Sequence, residues 1–175
     1  MFSERKGHEK YCPFNTCPCP SLDPAFQWED TYLQAHPHLL EHHPTMLSLD
    51  DYVIHSAVTG LVLSSSLVWT SRLKCYQQHF LIQIIKTKTE NKFFYPYIIV
   101  WILTNKRDAA RFLGKIEVKG RGRSMSWSFD PRSITSEAQG IMRNGDCLTL
   151  TSKVEERMLE QQALGVSVII DKREF

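Results

Sequence analysis

An antiparallel β-sandwich is the fold class this sequence predicts, and three observations predict it. The first is Ser124-Met125-Ser126-Trp127-Ser128-Phe129, which alternates polar and apolar residues. That is the period of a strand with one buried face, here Met125, Trp127 and Phe129. The second is the stretch from Asp130-Pro131 to Asn144-Gly145-Asp146, before the next strand-like run Cys147–Leu150. It is too short for a domain and too long for a hairpin turn, which suits a connection crossing from one sheet to another. The third is the absence of a long helical pattern after each strand-like run, which argues against a parallel α/β sheet. The expectation is about eight strands and two short helical pieces, a mainly β architecture.

The elements follow in order from Leu47. Tyr52-Val53-Ile54 is short and β-prone. Gly60–Leu63 and Leu67–Ser71 flank a serine run that reads as a turn or strand edge. Cys75–Lys86 is rich in aromatic and branched residues, and Thr87–Lys92 reads as a hairpin loop. Lys92–Thr104 is the most apolar run, with Pro96 arguing for a bulge or an edge near its start. Asn105 caps a helical turn over Lys106–Phe112. Leu113–Lys119 alternates, and Gly120-Arg121-Gly122-Arg123 turns it back into Ser124–Phe129. Ser152 is the expected cap of a helix reaching Gln162, with Glu155 closing a capping box. Leu164–Ile170 is the last strand, and 171–175 is a charged tail.

Composition bounds the function. The chain has 175 residues, 42% hydrophobic and 11% aromatic, with a net charge of +2. These are globular values, and the small net charge requires neither nucleic acid nor a membrane surface as partner. Residues 1–6 are charged and hold no apolar core of a signal peptide, and Tyr97–Leu103 is too short to span a bilayer. The expected location is cytoplasmic, nuclear or both.

Residues 1–46 differ from 47–175 and read as a separate unit. They hold Cys12, Cys17 and Cys19 of the five cysteines and five of the seven histidines, His8, His36, His38, His42 and His43. They also hold six of the eight prolines, and few residues that could build a core. Clustered thiols in a reducing compartment read as metal ligands, and a segment this small normally needs a metal to fold. A short helix near His38–His43, with Pro37 in its first turn, places those histidines within reach of one ion. Cys75 and Cys147 read as small core residues, and His36 and His42 as solvated ones. No catalytic residue is expected. His79 sits in strand-like text, Cys147 lacks a nucleophile signature, and Asp130 and Asp146 fit turns and caps.

With these residues in place, the chain resembles the seven in absentia (SINA, Siah) family. Ser126-Trp127, Pro131-Arg132-Ser133-Ile134, Ile141-Met142 and Asp146-Cys147-Leu148 are similar to that family's TW…TPRSI…IM…DCL text. Trp69, Cys75 and His79-Phe80 fall at its spacing, and Leu164-Gly165 with alternating valines is similar to its final strand. His8-Glu9, Cys12, Phe14, Cys17-Pro18-Cys19-Pro20, Trp28, His38-Leu39 and His43 extend the likeness to the N-terminus. The resemblance implies a RING, two SINA-type zinc fingers, and a TRAF-like β-sandwich that dimerises and holds degradation targets or adaptors. The RING would recruit a ubiquitin-charged E2; no RING text is seen in this sequence.

The resemblance also implies site residues. The first finger, C-x6-C-x11-H-x3-C, is represented by His8 and Cys12 alone, so it does not close within the chain. The second, C-x6-C-x11-H-x4-H, is matched by Cys17, His38 and His43. Its remaining ligand position, two residues before Trp28, is Phe26, which cannot ligate. Three outcomes stay open: the site is lost, it is rewired as Cys12, Cys17, His38 and His43 around zinc, or Cys19 is recruited. Loss of zinc should leave residues 1–46 poorly folded. The family's peptide groove maps to Trp69, Val68 and Val53, with valines where the family has aspartates. The groove is therefore expected to be more apolar and to take a different ligand, or none.

The expected function is recognition of target or adaptor proteins in ubiquitin-dependent degradation, as a partner or competitor of a full-length relative. One alternative is a complete RING ligase with further N-terminal sequence. Another is a dimerisation module with no groove ligand.

Overall fold

A computed structural model describes residues 12, 14–22, 27–50, 53–59, 66–88 and 94–174. The expectations for His8, Phe26, the Val53 side chain, Gly60–Ser65 and most of the loop after Lys88 fall outside the described residues.

Two sheets face each other. One is built on the central strands β6 (Gln78–Lys88) and β7 (Phe94–Ile102). β5 (Leu67–Cys75) flanks β6, and β3 (Ser48–Asp50) lies parallel to β5 at the edge. The second sheet runs β4 (Val53–Val58), β12 (Leu164–Lys172), β8 (Phe112–Gly120), β9 (Arg123–Phe129), all antiparallel. The long connection does cross between sheets. After β9 the chain adds β10 (Arg132–Ser133) parallel to β7, helix α3 (Ala138–Asn144), and β11 (Leu148–Thr149) antiparallel to β7. Two- and three-residue strands of this kind carry no periodicity of their own, which is why the text predicted fewer strands than form.

The apolar runs of β6 and β7 have a physical cause. Phe80, Ile82, Ile84, Ile98, Val100 and Ile102 face the space between the sheets, with Val166, Val168 and Ile170 of β12 opposite. Leu81, Ile85, Ile99 and Trp101 point the other way, into a second apolar cluster. A strand covered on both faces reads as a continuous hydrophobic run instead of an alternating one.

Several local expectations are corrected. Trp127 is 41% exposed on β9, the edge strand of its sheet, while Met125 and Phe129 do pack on the core. The last helix, α4 (Ser152–Met158), is capped by Thr151, whose Oγ1 accepts the Val154 N–H at 3.4 Å. Glu155 therefore falls one residue past the capping-box position. It is fully buried and receives a hydrogen bond from Lys86 Nζ of β6 at 2.5 Å. Asp130 and Asp146 pair with Arg173 and Arg132 respectively.

Asn105 caps α2 (Lys106–Ala109) as expected, accepting from the Arg107 and Asp108 N–H groups. The β8–β9 hairpin turns on Arg121 and Gly122, both at positive φ, the geometry of a type I′ turn. Gly120 before them allows close packing: a Cβ there would lie 1.7 Å from the Met158 carbonyl oxygen.

Candidate metal site and adjoining groove

The histidine-rich N-terminal text folds as a hairpin followed by a helix. β1 (Thr16–Pro18) pairs antiparallel with β2 (Glu29–Thr31), Cys17 opposite Asp30. α1 (Tyr32–His42) follows β2 at once, six residues earlier than a helix starting at His38. Pro37 lies inside it, not in its first turn, so that residue donates no hydrogen bond to the turn before it. Tyr32, Ala35 and Leu39 form the inner stripe of α1 and enter the second apolar cluster, against Leu81, Ile85, Ile99 and Trp101 on the outer face of the large sheet. This stripe at i, i+3, i+7 seats the helix.

That seating presents His38 and the C-cap residue His43 to the end of β1. The Cys19 N–H donates to the Trp28 carbonyl (2.9 Å), and the Leu22 N–H donates back to the Cys19 carbonyl (3.1 Å). The chain thus turns at Cys19, and its Sγ lies 3.1 Å from His38 Nε2 and 3.3 Å from His43 Nε2. All three donor atoms lie within 4.8 Å of one another. Zinc takes thiolate at about 2.3 Å and imidazole at about 2.0–2.1 Å, so ligands at tetrahedral angles stand about 3.5 Å apart. The observed separations fall a few tenths short of that, so small side-chain rotations would admit an ion, and one thiol with two imidazoles is a donor set suited to zinc.

The surroundings support these donors. Ser21 Oγ is 3.1 Å from Cys19 Sγ and can donate to a thiolate. Trp28 stacks on the His38 ring at 4.2 Å and 11°. The His38 pKa is lowered, first by burial, then by neighbouring His43 and His42. A neutral imidazole is the form that binds metal.

The cysteines are distributed differently from the expectation. Cys19, the recruited alternative, joins His38 and His43. Cys17 is 1% exposed in the second apolar cluster, and burial, aided by Asp30, Cys19 and Glu29, pushes its thiol up to about 12. It is a core residue and is not one of the three converging donors. Cys12 is half-buried and stands outside the group of three. One signal could have found Cys19. Counted back from Phe26, the x6 spacing lands on Cys19, while Cys17 is two residues too far. Cys75 and Cys147 are buried, as core cysteines should be.

Beside this cluster lies a groove of about 890 Å³ on the open side of the sandwich. His43 and Ser21 form one wall, β4 residues including His55 a second, and Val68, Trp69 and Thr70 of β5 the third. Val68 is 45% exposed, and Trp69 is half-buried with its body against the main core. His55 Nδ1 stands 2.7 Å from Ser167 Oγ on β12. None of the described lining residues is acidic. The sequence pointed to Trp69 and Val68 but not to His55 or His43, which pairing across strands and the end of α1 bring there.

The chain matches the family described as "Sina, TRAF-like domain" over residues 73–169. It is 24% identical over 172 residues to the E3 ubiquitin-protein ligase sina of Schistosoma mansoni, which covers 98% of this chain and 46% of that protein. The corresponding protein of Drosophila melanogaster is 24% identical over 172 residues, covering 97% of this chain and 54% of its own. The human E3 ubiquitin-protein ligase SIAH2 is 24% identical over 170 residues, covering 96% and 52%. The chain spans about half the length of these curated relatives.

Proposed function

We propose, from the premise that the chain belongs to the Sina family with its TRAF-like domain, that it recognises target or adaptor proteins in ubiquitin-dependent degradation. The observation that carries this reading is the groove at Trp69. It is flanked by strand β5, and none of its described lining residues is acidic. Backbone groups of an extended segment would supply affinity, and pockets for alternate side chains selectivity. A groove whose described lining holds no carboxylate favours apolar or acidic segments over those that present donors to an aspartate. Zinc, in this reading, is held by Cys19, His38 and His43, which brace the groove wall at His43 and Ser21. The chain would act as the substrate-holding arm, as a homodimer or paired with a full-length relative, or as a competitor of one.

Calorimetry tests the groove. A P-x-A-x-V-x-P peptide, the groove ligand that the resemblance to the family implies, is expected to bind this chain at least tenfold more weakly than it binds a relative with both groove aspartates, about 1.4 kcal/mol. Equal binding would refute the altered groove. Capture of protein partners by the wild-type chain, lost in Trp69→Ala, tests recognition itself; a chain that captures only itself would instead favour the dimerisation module.

A second reading is favoured by the coverage of 46–54% of the relatives: this sequence is the substrate-binding half of a complete ligase. Transcript sequence in frame upstream of Met1 that encodes paired C-x2-C ligands would establish it, and an in-frame stop codon there would refute it.

A further inference from the structure

We infer that metal at Cys19, His38 and His43 is exchangeable and acts on the groove wall, while the hairpin and helix that carry these residues stay folded without it. This rests on the reading of the three side chains as a metal site. It reverses the sequence expectation that loss of zinc would leave the N-terminal segment poorly folded.

Three observations carry it. The first is how the segment is anchored. Cys17, Tyr32, Ala35 and Leu39 are each at most 8% exposed, in one cluster with Leu81, Ile85, Ile99, Trp101, Ile134 and Ile141 of the sandwich. The buried Gln83 of β6 donates from Nε2 to the Pro20 carbonyl at 2.7 Å, and His36 stacks on His79 with centroids 3.6 Å apart. None of these contacts uses a metal. A free zinc finger has no core beneath it and folds only with its ion; this one lies on the outer face of a six-stranded sheet.

The second observation is the donor count. Among the described residues three donors converge, and the remaining ligand position of the family pattern is Phe26, which cannot ligate. A structural zinc centre is closed by four protein ligands, and a centre with three keeps a position open to exchange. His43 is only half-buried, so the ion has a route to solvent.

The third is location. His43 and Ser21 belong to the metal cluster and to the groove wall alike. Drawing His43 Nε2 and Cys19 Sγ onto an ion would fix two side chains that already stand 3.3 Å apart. The change falls on residues that line the groove together with Trp69 and leaves the sandwich core unaltered.

The test uses the full chain and the metal alone. Cobalt(II) is expected to give a thiolate charge-transfer band and intense four-coordinate d–d bands. Cys19→Ser and His43→Ala should abolish them, while Cys17→Ser keeps them. A stoichiometric chelator should remove the metal within minutes. The stripped protein should retain its near-ultraviolet circular dichroism and slow amide exchange in residues 32–42 and 78–88. Zinc should then shift amide resonances in 19–22, 43–47 and 68–70 and leave those of β12 in place. No cobalt band at all would refute the metal reading and this inference together. A band followed by unfolding of residues 16–42 on chelation would refute the inference and keep the reading. A band that requires Cys17, or zinc shifts that spare 68–70, would likewise overturn it.

Discussion

Lys86 and Glu155 form an ion pair with both side chains at 0% exposure and 2.5 Å between Nζ and Oε1. Taking both charges out of water costs several kcal/mol each, which their attraction repays only in part. Burial accordingly raises the Glu155 pKa from 4.5, with the Lys86 hydrogen bond and charge opposing the rise. Its second oxygen, Oε2, accepts no hydrogen bond among the described residues. Removing either partner leaves a buried charge uncompensated, so Lys86→Met and Glu155→Leu should each cost about 3–5 kcal/mol. At about 2–4 °C per kcal/mol for a chain of this size, the melting point should fall by about 6–20 °C. The Lys86→Met/Glu155→Leu double variant should be neutral or gain about 1–4 kcal/mol.

The pH dependence distinguishes the two single variants. The folded carboxyl holds its proton more tightly than the unfolded one, so this group's contribution is greatest below pH 4.5 and is lost as pH rises through the folded value. Lys86→Met removes both influences that lower that value. Its deficit should therefore be largest near pH 7.5 and shrink towards pH 5, whereas Glu155→Leu should show no such recovery. Urea unfolding at the two pH values measures both effects. Single variants within about 1 kcal/mol of wild type, or a double variant whose loss equals the sum of the two, would refute the desolvated pair.

Three further perturbations follow from the fold. Leu39→Ala deletes a fully buried side chain beneath α1 and should cost about 2–5 kcal/mol, with faster amide exchange in residues 32–42; a change below about 0.5 kcal/mol would mean the segment is not seated on the sheet. Gln77 has φ +58 in the β5–β6 turn, so Gln77→Gly should stabilise by about 1 kcal/mol in thermal unfolding, and a loss would contradict that turn. Gly120→Ala places a Cβ 1.7 Å from backbone oxygen, a clash no side-chain rotation relieves. A melting point lowered by several degrees is expected, and an unchanged one would contradict the approach of α4 to β8.

Much of the architecture was legible because strand periodicity is a local property. Met125 and Phe129 alternate towards the core, the connection through Pro131 and Gly145 is too long for a hairpin, and Asn105 caps its own helix. Trp127 was misread because alternation names a face but does not say whether another layer covers it at a sheet edge. Glu155 was misread as a cap because sequence shows a helix start only to within a residue, and one residue turns a side chain by about 100° about the axis. The groove's Trp69 was visible in the text, while His55 and Ser167 come together only through a strand register 112 residues apart.

The amino-acid sequence by itself determined a mainly β, antiparallel sandwich, a cysteine- and histidine-rich segment before it, and the pair His38 and His43 at the end of a helix. Those follow from side-chain period and spacing along one backbone. Tertiary structure alone decided that the segment carrying them rests on a sheet, and that the neighbouring thiol of Cys17 is buried in the core between them. Cys17 and Cys19 are two residues apart with the same chemistry. The strand ends at Pro18, the chain turns at Cys19, and the cluster under Tyr32, Ala35 and Leu39 takes the Cys17 side chain inward. The count back from Phe26 marks Cys19 as the ligand, but the place of Cys17 in the core is set by packing that no spacing along the chain records.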